Sequence, residues 1–209
     1  MLEGRSAQFV HELMLHGATQ QQAQSEVALS IDRWLHYAGW CDKYLALFSS
    51  VNPTNSSHFN FSVQEPTGVV GIMSPDTTGL LGLVSMIAPV ITGGNTCIVI
   101  ASESRPLPAV TFTEVLATSD LPGGVVNLLT GVRSELIPTF ATHEHLRAIS
   151  GVADADERKA LRLGAAESVK RVHLRKVEEP IDWFADKMQG AEEIRALLEF
   201  KTTWHPIGA

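Results

Sequence analysis

This sequence has few cysteines, no cluster of positive charge and no long apolar run. Only two cysteines, Cys41 and Cys97, occur in 209 residues, and they have no paired spacing of the kind found in disulfide frameworks or zinc sites. The formal net charge is -7, without a lysine- or arginine-rich run, which argues against nucleic acid or an anionic membrane as partner. No apolar stretch resembles a signal core or a membrane span. The sequence therefore predicts a cytoplasmic protein with no nucleic-acid partner and no membrane partner.

The thiols and histidines give no sign of a reactive or metal-binding site. Cys97 falls in a predicted buried strand, where apolar burial raises a thiol pKa, and Cys41 follows Trp40 on a predicted helix as a packing residue. His143 and His145 are the closest histidine pair, but residues i and i+2 of a helix point to different sides. No third ligand lies nearby in sequence, so we expect no metal site.

The N-terminal part of the chain is helical in pattern. Residues 5–48 carry one apolar stripe that ends near Gly17 and a second with helical spacing over Val27–Ala38. The segment Val51–His58 is rich in Pro, Asn and Ser and predicts a loop. Phe59–Val63 alternates apolar and polar residues, which indicates a half-buried strand.

Beyond that strand, short apolar segments alternate with helical ones. The predicted strands are Gly68–Met73, Thr96–Ala101, Val125–Leu129, Leu146–Ser150 and Val169–Leu174. The predicted helices between them are Leu80–Ile91, Leu107–Ser119, Ser134–Thr142 and Ala155–Leu163. Such alternation predicts an α/β fold of three layers, with a mostly parallel, Rossmann-like sheet and right-handed crossovers. A helix over residues 180–198 and a final strand over Glu199–Pro206 are predicted to follow.

Several sequence motifs, specific only in combination, carry a family resemblance. They are YAGWCDKY (37–44), EPTGVVG (65–71), APVITGGNT (88–96), LPGGVVNLLTG (121–131) and LEFKTTWHP (198–206). With these motifs the chain resembles the aldehyde dehydrogenases over most of its length. The resemblance implies N-terminal helices and a loop at 5–58, an oligomerisation strand at 59–66, a degenerate cofactor domain at 67–176, and a C-terminal helix with a second oligomerisation strand at 177–209.

The resemblance also shows which cofactor groups are altered. The family's Lys-Pro pair after the second strand is Ile100-Ala101 here, which removes the ammonium that meets the adenosine ribose. The family's glycine-rich phosphate turn is matched by residues 151–156, where Asp154 and Asp156 at a helix N-terminus would repel a phosphate. Glu103 stands where a family acid meets the ribose hydroxyls, although a solvated loop acid is the alternative. Glu103, Ser102 and Gly151 are the remaining candidates for binding NAD.

The catalytic groups implied by the resemblance are absent. The asparagine that stabilises the oxyanion is matched within Pro75-Asp76-Thr77, so the amide donor is gone. The general-base motif is matched by Val172–Lys176, in which an arginine cannot act as a base. Neither cysteine aligns with the nucleophile, and the catalytic domain has no counterpart. We therefore predict no catalytic residue.

Within the family, the chain resembles the shortened, degenerate C-terminal domain of the class-sixteen aldehyde dehydrogenases. This favours a non-catalytic domain in the assembly or structural support of a dehydrogenase, whether as a standalone paralogue or as part of a longer chain. The alternative is an NAD(P)-binding module whose catalytic part lies elsewhere.

A partner is predicted from the final strand. Phe200, Thr202 and Trp204 alternate with polar residues and are candidates for an interface. The expected partner is a second copy of the chain or a complete aldehyde dehydrogenase domain. In a homodimer, the oligomerisation strands and the helix around Leu80–Ile91 would make the contact.

Overall fold

The chain begins with helices and a small antiparallel sheet. A computed structural model of the protein describes residues 1–208. After a 3₁₀ turn at Glu3–Arg5, the first elements are α1 (Ser6–Leu15), α2 (Gln20–Ala38), α3 (Tyr44–Phe48), β1 (Ser50–Asn52) and β2 (His58–Pro66). Thr19 caps α2 by accepting a hydrogen bond from the backbone N–H of Gln22. The N-terminal helices are thus where the apolar stripes predict them.

The larger part of the chain alternates strands and helices. The elements are β3 (Val69–Met73), α4 (Leu81–Thr92), β4 (Thr96–Ile100), α5 (Leu107–Ala117), β5 (Val126–Leu129), α6 (Arg133–Thr142), β6 (Leu146–Ala153), α7 (Ala155–Glu167), β7 (Arg171–Lys176), α8 (Ala191–Arg195) and β8 (Leu198–Pro206). Strands β3 to β7 form a five-stranded parallel sheet of order β5-β4-β3-β6-β7. The predicted α/β fold is confirmed.

Helices cover both faces of this sheet, which makes the three layers. On one face, α4 and α5 pack on the sheet, and α2 and α1 pack against them, in a core that includes Phe9, Leu83 and Phe112. On the other face, α6 and α7 pack through a core that includes Phe140 and Leu161. The chain therefore reverses its direction of winding between β3 and β6, the place where open α/β sheets form their ligand crevice.

Glu26 joins α2 to the start of α4. Its buried side chain accepts hydrogen bonds from the backbone N–H groups of Leu80 at 2.7 Å and Leu81 at 3.1 Å. Those groups would otherwise lack an acceptor, because the first N–H groups of a helix have no partner within it. A carboxylate from α2 thus completes α4.

The second sheet is antiparallel, with order β1-β2-β8. Strand β8 pairs with β2 along its whole length, from Leu198 opposite Pro66 to Pro206 opposite His58. The two strands that the sequence assigns to an oligomerisation element therefore pair with each other. The predicted loop at Val51–His58 is wrong at its start, because Ser50–Asn52 adds a third strand to β2.

Other boundaries also differ from the sequence predictions. Strand β6 continues to Ala153, because β7 pairs with it as far as Lys176. Val169 is not in a strand but has a positive φ of 53° at the turn before β7. The helix predicted over 180–198 is reduced to a 3₁₀ turn, Asp186–Gln189, and the short α8. The last residue of the predicted C-terminal segment, Ala209, lies outside the described residues. Within residues 1–208, no helix is long and apolar enough to cross a bilayer.

The predicted dimer contact through the helix around Leu80–Ile91 is wrong. Eleven of the twelve residues of α4 are buried within the chain. A helix enclosed by α2, α8 and the sheet cannot present a face to a second subunit.

Candidate functional site

A cleft of about 300 Å³ opens at the carboxyl edge of the parallel sheet, beside the point where the winding reverses. It is lined by Pro75 and Asp76 after β3, Glu103 after β4, Val132–Ser134 after β5, Val152–Asp154 at the end of β6, Glu157 and Val177. The position is the one in which parallel α/β sheets bind ligands. Its side chains carry four carboxylates and one guanidinium.

Asp76 and Ser102 link two loops at one side of the cleft. The Ser102 hydroxyl donates to Asp76 Oδ1 at 2.5 Å, and Ser104 donates to the same oxygen through its backbone N–H at 3.3 Å and its hydroxyl at 3.2 Å. Burial acts to raise the pKa of Asp76, but these hydrogen bonds and the positive charge of Arg133 outweigh it and lower the pKa. Ser102 Oγ also accepts from the backbone N–H of Arg105 at 3.0 Å. The hydroxyl of Ser102 is thereby committed to the loops of the protein.

Arg133 fills the centre of the cleft floor. Its side chain, 10% exposed, donates to the Ser74 carbonyl at 2.9 Å and the Val152 carbonyl at 2.7 Å. It also binds Glu157 through both carboxylate oxygens, at 3.1 and 3.0 Å. Four of the five N–H groups of a guanidinium are used in these contacts. Arg133 therefore acts as an internal clamp between the ends of β3, β6 and α7.

Carboxylates occupy the N-terminus of α7. Asp154 Oδ1 accepts from the backbone N–H of Glu157 at 2.8 Å, while Glu157 Oε2 accepts from the backbone N–H of Asp154 at 3.0 Å. This reciprocal arrangement is a capping box, and it places negative side chains where the helix dipole favours them. The N–H of Glu157 and the positive end of the dipole are thus engaged by the protein's own carboxylates.

Comparison of the sequence with protein families shows to which family the chain belongs. The profile of the aldehyde dehydrogenase family matches residues 1–176, from the N-terminus to the end of β7. The chain belongs to the aldehyde dehydrogenase family. Among curated relatives, it is 32% identical over 165 residues to an aldehyde dehydrogenase of Agaricus bisporus, covering 78% of this chain and 32% of that protein. It is 31% identical over 156 residues to the human cytosolic 10-formyltetrahydrofolate dehydrogenase, covering 72% of this chain and 17% of that protein.

Solved structures of the family agree with the fold. The lactaldehyde dehydrogenase of Escherichia coli matches 84% of this chain and 36% of its own, with a TM-score of 0.77 at 22% identity. A betaine aldehyde dehydrogenase of Staphylococcus aureus matches 84% of this chain and 35% of its own, with a TM-score of 0.78 at 22% identity. The chain thus spans about a third or less of the length of these aldehyde dehydrogenases.

The three candidate cofactor residues of this aldehyde dehydrogenase-family chain lie in different settings. Glu103 is exposed at the rim and accepts from the backbone N–H of Arg133 at 3.0 Å, whereas Ser102 is buried against Asp76. Gly151 lies inside β6 rather than on a turn. A Cβ at Gly151 would sit 2.5 Å from the Met73 carbonyl oxygen, so contact between strands accounts for this glycine. Of the three, only Glu103 lines the cleft.

The segment between β7 and α8 contacts Thr77, the exposed last residue of the run Pro75-Asp76-Thr77 that matches the family's oxyanion motif. The indole N–H of Trp183 donates to Thr77 Oγ1 at 3.2 Å, and its backbone carbonyl accepts from Arg33 Nη1 at 2.9 Å. Arg33 Nη1 also donates to Ser85 Oγ on α4 at 2.5 Å. Trp183 is almost completely buried. This segment is therefore anchored to α2 and α4 and lies over the start of α4.

The remaining candidates for chemistry lie away from the cleft. Cys97 is fully buried in β4, and burial raises the pKa of its thiol to about 12. Cys41 is exposed, so the prediction that it packs is wrong. His173 on β7 lies 3.9 Å from Glu193 of α8, and burial together with the charge of Arg175 lowers its pKa.

The histidine pair does not extend to a metal site. The rings of His143 and His145 lie 5.8 Å apart just beyond α6. Within residues 1–208, no three His, Cys, Asp or Glu side chains are grouped closely enough to hold a metal ion.

Sequence reasoning missed Arg133 and Glu157. Each has a local signal: Arg133 opens a helix directly after a glycine turn, and Glu157 stands three residues after the capping Asp154. Their mutual contact depends on the sheet, which brings residues 24 positions apart into one pair. Only the three-dimensional arrangement reveals it.

Proposed function

We propose that this chain is a non-catalytic aldehyde dehydrogenase-like domain that acts in the assembly or structural support of a dehydrogenase. The observation that carries the proposal is the Arg133–Glu157–Asp154 network at the N-terminus of α7. A pyrophosphate at a helix N-terminus needs free backbone N–H groups and a positive field. Here Asp154 already accepts a hydrogen bond from the backbone N–H of Glu157 at the start of α7. The four carboxylates of the cleft outnumber its one arginine, which weakens the positive field.

Two further contacts support the absence of catalysis. Thr77 is exposed, but its hydroxyl already accepts a hydrogen bond from the indole N–H of Trp183 at 3.2 Å, and it has no amide group to donate to a thiohemiacetal oxyanion. Neither cysteine lines the cleft, and a thiol with a pKa of about 12 has almost no thiolate at neutral pH. Covalent catalysis by a thiol needs both access and ionisation.

An activity assay tests this part of the proposal. The purified chain should give no reduction of NAD or NADP with a panel of aldehydes, while a complete aldehyde dehydrogenase reacts under the same conditions. The double variant Cys41→Ser, Cys97→Ser should be equally inactive. Turnover by wild-type and double variant alike, in preparations free of contaminating enzyme, would refute a non-catalytic role.

The second candidate function is an NAD(P)-binding module whose catalytic part lies elsewhere. The observation in its favour is Glu103, exposed at the rim of an open cleft at the position of ligand binding in parallel sheets. An adenine dinucleotide or a smaller adenine nucleotide would use this carboxylate for its ribose hydroxyls.

Calorimetry separates the two functions. A dissociation constant for NAD well above the millimolar range would leave only the supporting role. Tighter binding that is lost in Glu103→Gln and kept in Glu144→Gln, an exposed acid remote from the cleft, would establish the nucleotide module instead.

The partner in assembly is proposed from the antiparallel sheet. Phe200 and Trp204 lie on one face of β8, 49% and 59% exposed, and their exposure supports burial against another chain. A homodimer of 22.7 kDa chains is one form of this assembly, and association with a complete aldehyde dehydrogenase domain is the other. A cytoplasmic location stays a prediction.

Light scattering at micromolar concentration tests the homodimer. The wild-type chain should have about twice its monomer mass, and Trp204→Asp should restore the monomer because a buried carboxylate without a partner is costly. Leu163→Asp is a matched control, since Leu163 is 65% exposed on α7, away from the antiparallel sheet. A monomeric wild-type chain would exclude self-association and leave a dehydrogenase domain as the partner.

A further inference from the structure

An apolar pocket of about 370 Å³ opens at the amino edge of the parallel sheet, at the opposite end from the cleft. Helices α4 and α5 both end there, because each runs back from the carboxyl end of one strand to the amino end of the next. The volume lies within the range of pockets that bind small organic molecules. The apolar side chains that line it come from the N-terminus, α2, α4 and α5, and they are Leu2, Trp34, Ile91, Phe112, Val115 and Leu116.

Two of the lining residues are aromatic and stacked on each other. The ring centroids of Trp34 and Phe112 lie 5.8 Å apart, and the ring planes differ by 28°. Phe112 is almost completely buried, whereas Trp34 is only partly buried, so packing fixes the indole while part of it stays accessible. An accessible indole offers an apolar surface to another ring, and its face also attracts a cation.

The charge at the rim of the pocket is negative. Asp120, in the turn after α5, lines the pocket and is exposed, and none of the ion pairs within residues 1–208 includes it. Ile91 and Leu116, the penultimate residues of α4 and α5, line the pocket as well, so the negative ends of two helix dipoles lie beside it. Ser119 uses its hydroxyl within the turn, where it donates to the Leu116 carbonyl at 2.7 Å and accepts from the N–H of Leu121 at 3.2 Å.

We propose that this pocket binds a small organic ammonium ion, with an aromatic ring against Trp34 and the ammonium group near Asp120. Burial of the ring supplies most of the affinity, because an exposed carboxylate attracts a cation only weakly. The carboxylate and the two helix ends decide which compounds bind, since they favour a cation over a neutral or anionic molecule of the same shape. The site is separate from the cleft and does not depend on the proposed role in assembly.

Three phenyl compounds test the ligand class. Phenethylammonium, 2-phenylethanol and 3-phenylpropionate carry the same ring on a two-carbon chain and differ in charge. Each is titrated into the chain while NMR follows the indole N–H signals of the four tryptophans. The chain is used without added residues before Met1, because Met1 and Leu2 line the pocket.

Phenethylammonium should shift the signal of Trp34, assigned with Trp34→Phe, and leave the signals of Trp183 and Trp204 in place. Its dissociation constant should be on the order of 1 mM, as befits a ligand of this size. The alcohol should bind about three- to fivefold more weakly, and the carboxylate should not reach saturation.

Two substitutions separate charge from shape. Asp120→Asn should weaken the binding of phenethylammonium about three- to fivefold and leave that of 2-phenylethanol unchanged. Asp32→Asn, which changes an exposed acid of α2 outside the pocket, should affect neither. Leu116→Trp should fill the pocket and abolish binding of all three compounds, and an unchanged Trp183 signal would show that the fold is kept.

The outcomes that contradict the proposal are distinct. If none of the three compounds shifts the Trp34 signal, the pocket is not a binding site. Equal affinities for the ammonium and the carboxylate, or an unchanged ammonium affinity in Asp120→Asn, would overturn the ligand class. If Leu116→Trp does not fold, the Asp120→Asn titration still decides, because that side chain is exposed and its loss leaves the core intact.

Discussion

The cleft of the parallel sheet and the antiparallel sheet β1-β2-β8 differ in where their polar groups find partners. In the cleft, Arg133, Asp154 and Glu157 satisfy one another and the ends of three elements. In the antiparallel sheet, the polar ladder of Asn52, Ser62 and Thr202 is joined across the strands, but the outer edge of β8 has no partner in the described chain.

The two regions therefore differ in how much free energy a binding partner can gain from them. A site that satisfies its own donors and acceptors gains little from a ligand, because each new hydrogen bond must replace one already made. A free strand edge gains both hydrogen bonds and buried apolar area from a partner. We therefore expect a partner chain to bind at β8 rather than a small ligand in the cleft. Three substitutions at the carboxyl edge of the parallel sheet test how much the contacts within the chain contribute to its stability.

The largest effect is expected for Gly151→Ala. Gly151 has a φ of 150°, and a Cβ there would lie 2.5 Å from the Met73 carbonyl oxygen and 2.8 Å from its nitrogen. The combined strain and overpacking should lower the free energy of unfolding by about 4 kcal/mol, measured by urea denaturation. Gly123→Ala is the control, since its added Cβ meets no atom within 4 Å. A variant as stable as wild type would show that the contact with Met73 does not account for this glycine.

Arg133→Ala comes next. Removing the guanidinium leaves Glu157 and the Ser74 and Val152 carbonyls without their donor, which should lower the free energy of unfolding by about 3 kcal/mol. Arg195→Ala removes an exposed ion pair with Glu192 and should change it by less than about 1 kcal/mol. Equal losses in the two variants would contradict a closed network in the cleft.

The smallest effect is a pH dependence carried by Asp76. Its folded pKa is lowered, so its ionised form stabilises the fold above about pH 4, and this contribution disappears as the pH falls through the folded pKa. Asp76→Asn should therefore flatten the acid limb of stability below about pH 4. Parallel pH profiles for wild type and Asp76→Asn would show that Ser102 and Ser104 do not hold the carboxylate.

The sequence predicts the parallel sheet well because its signals are local and repeated. Each of β3 to β7 is a short apolar run between helical segments, and the alternation alone specifies parallel order and three layers. The small sheet is predictable in part. Strands β2 and β8 have alternating residues, whereas β1 consists of Ser50, Val51 and Asn52 and is a strand only because β2 provides its partner.

The segment after β7 shows why other features escape prediction. Its apolar residues fit a helix, yet Trp183 must reach both Thr77 and Arg33, and an Asp182 side chain accepting from the N–H of Phe184 turns the backbone instead. The residues of the candidate site are hard to predict for a similar reason. Gly151 is read from a motif, but its role depends on Met73 of another strand, and Arg133 acquires its role from residues on β3, β6 and α7.

The carboxylate of Glu26 has a consequence for how this chain can be divided. Because it supplies the acceptor for the first N–H groups of α4, a truncation starting after residue 58 would leave a central helix uncapped and its apolar side uncovered. The N-terminal helices are therefore not a detachable module, and the segment boundary that the sequence suggests there does not mark an autonomous folding unit. Loss of α2 and loss of the parallel sheet should be one cooperative event.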